Sequence, residues 1–139
     1  MADTFRLTLA QANPVMGDVA GNAQKVREVW AEAKAAMSDM VAFPEMFIVG
    51  YNAQDLVLKP ALQAAALAEV ERLAEECAEG PVVAVGGPLV KEGALYNAYF
   101  ILKDGKIAHT QLKHHLPNYT VFDDERLFAD GPLGRPYDV

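Results

Sequence analysis

A chain in which short apolar runs alternate with longer amphipathic ones has to stack the second kind on the first, and this sequence opens with that alternation. Between Phe5 and Ala12, the residues Phe5, Leu7 and Leu9 fall opposite Arg6 and Thr8, the period of a strand with one buried face, and Asn13-Pro14 is its turn signal. After Gly17-Asp18, Asn22 is placed to cap a helix to about Met37, because Val26, Val29, Trp30, Ala33 and Met37 recur at helical spacing with charges between them. Met40-Val41-Ala42-Phe43 reads as a buried strand stopped by Pro44, which cannot donate to a ladder. Pro60 to Ala78 reads as a second helix, with Pro60 in its first turn and Gly80-Pro81 as its stop.

Pro81 to Gly87 is then a buried strand by composition, and Ala94 to Leu102 and Lys106 to Leu112 form a hairpin across Lys103-Asp104-Gly105. The succession of strand, helix, strand, helix, strand and hairpin predicts an α/β architecture with helices packed on a sheet. From about Lys113 to Val139 the periodicity gives way to Pro, Gly, Asp and aromatic residues, the composition of a surface loop. Gly86-Gly87-Pro88 and Gly131-Pro132-Leu133-Gly134 read as turns, since neither has the spacing or the strand-to-helix setting of a phosphate loop.

With 139 residues, 52% of them hydrophobic, the chain suits one domain or a piece of one. Its net charge of -7 argues against nucleic acid, whose phosphates reward a basic surface, and leaves small molecules as the expected partners. No window approaches the roughly 20 apolar residues of a membrane span, and Met1 to Arg6 lack the basic-then-apolar order of a targeting segment. The single cysteine suits a reducing compartment, so a soluble cytoplasmic protein is expected.

Chemistry is concentrated at two strand ends. Glu45, in Phe43-Pro44-Glu45-Met46-Phe47, has apolar neighbours whose desolvation would suit a carboxylate to general-base work, although a solvated loop glutamate fits the same spacing. Lys113 follows the last hairpin strand, where an ammonium could hold a developing oxyanion or simply lie exposed. His114 and His115, adjacent in an extended segment, are expected on opposite faces and are poorly placed to share a metal, and His109 reads as an ordinary strand residue. Cys77 shares a helical face with Ala66, Val70 and Leu73, which makes it a packing thiol and not a nucleophile.

Phe43-Pro44-Glu45-Met46 and Leu112-Lys113-His114-His115-Leu116-Pro117-Asn118-Tyr119, with Ala10-Gln11-Ala12-Asn13-Pro14 and Gly17-Asp18-Val19-Ala20-Gly21-Asn22 ahead of them, resemble the nitrilase, or carbon-nitrogen hydrolase, superfamily over essentially the whole chain. The run Leu116-Pro117-Asn118-Tyr119-Thr120-Val121-Phe122-Asp123 is most similar to the glutaminase domains of glutamine-dependent NAD synthetases. The resemblance implies that residues 1–139 are the N-terminal portion of a single α-β-β-α sandwich domain. It implies Glu45 as general base, Lys113 as oxyanion-stabilising cation and Tyr119 as a residue of the glutamine pocket. The family's nucleophile, a cysteine in a later Cys-Glu-Asp motif, has no counterpart before Val139, so the chain is expected to stop ahead of it and to be inactive alone. In Phe122-Asp123-Asp124-Glu125-Arg126 the acid order departs from the family's, which leaves open whether Asp124 or Glu125 supports the lysine.

The same resemblance implies glutamine as substrate and a C-terminal synthetase domain as partner. It also implies no cofactor or metal in this domain, ATP and Mg serving the synthetase domain alone. An incomplete sandwich leaves apolar sheet exposed, so a homo-oligomer is expected. A free-standing amidase of the same superfamily and a noncatalytic fragment of such a domain are the alternatives.

Overall fold

The computed structural model describes residues 3–139; Met1 and Ala2, part of the N-terminal stretch read for a targeting signal, lie outside the described residues. The elements are β1 (Leu7–Leu9), α1 (Val19–Ala35), β2 (Met40–Ala42), a 3-10 helix (Gln54–Leu58), α2 (Pro60–Glu76), β3 (Val82–Lys91), β4 (Ala94–Lys103), β5 (Lys106–Leu112) and a short α3 (Asp124–Leu127). They form one five-stranded sheet in the order β1-β2-β3-β4-β5, parallel from β1 to β3 and antiparallel thereafter. Two crossovers run in the same direction along the sheet, and α1 and α2 pack against each other on one face, as the common handedness of such connections dictates. Val41, Val83, Val85, Phe100 and Leu102 point into that layer, where they meet Ala23, Val26, Val70 and Leu73. Salt bridges from Arg27 to Glu69 and Glu76 join the two helices along their outer edge.

Several expectations are corrected. β1 is shorter than Phe5 to Ala12, and Phe5, Leu7 and Leu9 are exposed: the register Leu7↔Met40 and Leu9↔Ala42 turns Leu7 and Leu9 to the face opposite the helices. Asp18, not Asn22, caps α1, its carboxylate accepting from Gly21 N at 2.9 Å. Asn22 is inside the helix and buried, clamping Val15 through both its backbone groups and donating to Ile48 O at 3.0 Å. Met37 lies beyond α1 and is exposed. Gly86-Gly87-Pro88 is no turn but the middle of β3, and residues after Lys113 include α3.

Candidate active site

Two reversals of direction, β3 to β4 and β4 to β5, leave β5 running the same way as β2. The segments that follow β2 and β5 therefore emerge at one sheet edge, the carboxyl-end edge at which α/β sheets place their ligand sites. Glu45 follows β2 and Lys113 follows β5, and Lys113 Nζ lies 2.8 Å from Glu45 Oε1. The two motifs come from strands that are not neighbours, since β3 and β4 lie between β2 and β5; the loop after β2 crosses over β3 and carries Glu45 to the lysine.

The loop that carries Glu45 is held against β3. Phe43 N donates to Ala84 O at 2.8 Å, Ile48 N donates to Gly86 O at 3.1 Å, and Met46 between them takes a left-handed conformation with φ 55°. A Cβ at Gly86 would stand 2.3 Å from Met46 N and 2.9 Å from Glu45 Cα, so only glycine lets the loop lie this close. The apolar neighbours of Glu45 turn inward while its own side chain stays 43% exposed. The desolvation expected from those neighbours is not realised, because their side chains and the carboxylate point to opposite sides of the loop.

Lys113 is held by a second acid, Asp124, whose Oδ2 lies 3.0 Å from Nζ. Asp124 is 2% exposed and opens α3, whereas Glu125 faces solvent, so Asp124 is the acid that meets the lysine. Burial would depress the Lys113 ammonium, but hydrogen bonds and charge from Glu45 and Asp124 outweigh it and push its pKa above the ordinary lysine value.

Two β4 residues complete the site, and neither was singled out in the sequence. Asn97, 4% exposed, donates from Nδ2 to Glu45 Oε1 at 2.6 Å, and the Tyr99 hydroxyl donates to Phe43 O at 2.6 Å. Burial raises the Tyr99 pKa against the opposing hydrogen bond to Phe43. Both side chains leave β4 on the face away from the helices, one residue to either side of the core-facing Ala98. The available signal was an amide inside an apolar strand, where asparagine is disfavoured unless its side chain has a partner.

Phe43, Glu45, Asn97, Tyr99, Gln111 and Lys113 line a cavity of about 430 Å³. Tyr119 does not line it. It borders a second cavity with Asn52, Gln54 and Phe122, its ring 5.4 Å from that of Phe122, which in turn lies 6.4 Å from Tyr51. Burial, and then the charges of Asp124 and Glu45, raise the Tyr51 pKa, with Lys113 opposing. Arg126 pairs with Asp123 and with Asp55 of the 3-10 helix, tying α3 to the far wall of the second cavity.

The remaining candidates stand apart. Cys77 caps α2 just ahead of β3, at the edge opposite Glu45, and burial pushes its thiol up to about 11. It is the packing residue expected. His114 and His115 lie beyond β5 and not within it, so their rings do not diverge but meet edge to face at 4.6 Å, with His114 Nδ1 donating to Gly131 O. His109, within β5, stacks on Tyr137 at 4.2 Å. No group of three metal-ligating side chains occurs among the described residues.

The profile of the carbon-nitrogen hydrolase family matches residues 6–135. The glutamine-dependent NAD(+) synthetase of Rhodobacter capsulatus is 50% identical over 136 residues, which are 98% of this chain and 25% of that protein. The solved structure of glutamine-dependent NAD+ synthetase from Acinetobacter baumannii in complex with ADP superposes with a TM-score of 0.91 at 34% identity, over 97% of this chain and 26% of that one. An amidase from Nesterenkonia sp. shares the fold, with a TM-score of 0.76 at 18% identity, over 95% of this chain and 50% of that one. The chain thus spans about a quarter of the length of the curated relatives it matches.

Proposed function

The chain belongs to the carbon-nitrogen hydrolase family, and from that premise we propose that it supplies the acid–base half of a glutamine amidohydrolase site, one that feeds ammonia to an NAD synthetase. The observation that carries the reading is the Glu45–Lys113 pair, 2.8 Å apart at the carboxyl-end edge of the sheet and bordering an open cavity. The 50% identity to a glutamine-dependent NAD(+) synthetase selects glutamine over other amides, while the amidase shares only the fold.

The chemistry divides as follows. A thiol attacks only as thiolate, so Glu45 takes its proton as the sulfur–carbon bond forms at the amide carbonyl. The carbonyl electron pair moves to oxygen, where the Lys113 ammonium stabilises it. On collapse the carbon–nitrogen bond breaks, the proton passes from Glu45 to nitrogen, and ammonia leaves a glutamyl thioester. Water, deprotonated by the same carboxylate, then releases glutamate and restores the thiol. Cys77 cannot be that thiol: it is buried at the opposite edge with its pKa raised, so the nucleophile is assigned to a residue outside these 139, a reading supported by relatives of which this chain matches about a quarter. Tyr119 is assigned to the glutamine pocket on the side of the second cavity. The ammonia goes to a C-terminal synthetase domain, to which ATP and Mg belong.

A reaction run by a free thiolate suits the reducing cytoplasm, and no helix among the described residues is long and apolar enough to cross a membrane. Apolar side chains exposed on the sheet favour an oligomer.

In the full-length protein, Glu45→Gln and Lys113→Ala should abolish ammonia release from glutamine while NAD synthesis from added ammonia persists, and Cys77→Ser should leave both intact. The 139-residue chain alone should release no ammonia. Turnover by Glu45→Gln would sink the assignment, and ammonia release by the isolated chain that stops with Cys77→Ser would make Cys77 the nucleophile.

A further inference from the structure

We propose that Asn97 is a positioning residue for this reaction: it pins one oxygen of Glu45, Oε1, and thereby reserves the other, Oε2, for the proton that passes between thiol and leaving group. The inference rests on the reading of Glu45 as the base. A carboxylate on a loop can turn, and either oxygen can then meet a donor. Glu45 is 43% exposed, so packing alone does not hold it. The two donors that reach it, Asn97 Nδ2 at 2.6 Å and Lys113 Nζ at 2.8 Å, both bond Oε1. Oε2 has no hydrogen-bond partner among the described residues.

The two donors are not equivalent. Lys113 ends in a rotating ammonium on a flexible stem and is shared with Asp124 at 3.0 Å. Asn97 is buried on β4, a strand hydrogen-bonded on both sides. Its carbonyl accepts from Lys113 N at 2.8 Å, so one β4 residue sets the backbone of the lysine and the side chain of the glutamate together. The Tyr99 hydroxyl holds Phe43 O, two residues ahead of Glu45, from the same face of the strand.

The ionisable groups around Glu45 are Lys113 from the end of β5, Asp124 from α3, Tyr99 from β4 and Tyr51 from the following loop, with Tyr119 beyond Tyr51. None of them offers a neutral amide donor at Oε1. Losing that donor withdraws support from the charged carboxylate while the lysine stays in place, which separates this role from that of Lys113.

The test uses the full-length protein with glutamine. Asn97→Ala should lower kcat by about 10- to 100-fold, the range expected for one hydrogen bond to a charged group, with KM little changed. The acid limb of the kcat/KM profile should move to higher pH, a change that mere loosening of the strand would not produce. Asn97→Asp keeps the size and shape of the side chain and carries the test if the alanine variant fails to fold. It should work best on the acid side, where a shared proton still bridges to Glu45, and fail as both carboxyls ionise and repel. Glu45→Gln is measured in parallel. Wild-type kcat with an unmoved pH profile in a folded Asn97 variant, Glu45→Gln being inactive, overturns the role of Asn97 and leaves the base in place. An active Glu45→Gln overturns the base itself.

Discussion

Asp124 is the residue whose contribution can be measured most directly. It is nearly fully buried and its charge is met by Lys113, so Asp124→Asn removes a charge-assisted bond without emptying the space. The variant should lose roughly 1.5–3 kcal/mol of unfolding free energy near neutral pH, as expected for a hydrogen bond between charged partners. The sign with pH follows from the lysine. Its folded pKa is raised above the ordinary 10.5, so the stabilisation is complete below that value and is lost as the pH climbs through the folded one. Denaturation of both proteins across the alkaline range should therefore show the difference narrowing above pH 10.5. A gap unchanged there would mean that Asp124 acts through packing and not through the ammonium. At this scale the sequence was partly legible. Glu45 and Lys113 carry motifs around them; the sequence narrowed the lysine's supporting acid to Asp124 or Glu125 without choosing, and the partner of Asn97 is visible only in the folded chain.

β3 and β4 do work that their composition conceals. β3 reads as a plain buried strand, yet Gly86 within it is the platform on which the Glu45 loop rests. Gly86→Ala should force that loop off the strand, costing roughly 1–3 kcal/mol as an overpacked site does. Because the clashing atoms are backbone atoms of Glu45 and Met46, ammonia release from glutamine should fall with it. The corresponding change at Gly93, where an added Cβ meets nothing within 4 Å but φ is +78°, should affect stability through backbone strain and leave the site undisturbed. Thermal unfolding and glutaminase assays on both variants decide the matter, and equal activity in the two would show that the Gly86 contact does not position Glu45. The Asp18 cap was misread from sequence for a related reason: Asn22 and Asp18 are equally good capping residues by type, and what decides between them is that the Asn22 amide is taken up by Val15 and Ile48.

For the molecule as a whole, the asymmetry of the sheet dominates. One face carries α1 and α2, while on the other Leu7 and Leu9 of β1 remain 46% and 70% exposed, with Phe5 exposed beside them. An apolar patch on an edge strand invites association despite the net charge of -7. The isolated 139-residue chain should therefore self-associate, and the double change Leu7→Lys and Leu9→Lys should disperse it. Light scattering that finds the unaltered chain a folded monomer at high concentration would count against this reading. The candidate site opens on this same face, since Asn97 and Tyr99 leave β4 on it.

Local rules carried the reading a long way: hydrophobic period and turn chemistry located the five strands and two long helices, and the helical stripe of α2 placed Cys77 in a core. These features depend on residues close in the chain, so their signals are local too. Which face of β1 is buried, that Gly86-Gly87-Pro88 continues a strand, which acid meets Lys113 and which amide meets Glu45 depend on pairing between distant segments. Burial and hydrogen bonding are properties of the assembled neighbours. A single residue therefore declares its chemistry in the sequence, and acquires its partner only when the strands have closed around it.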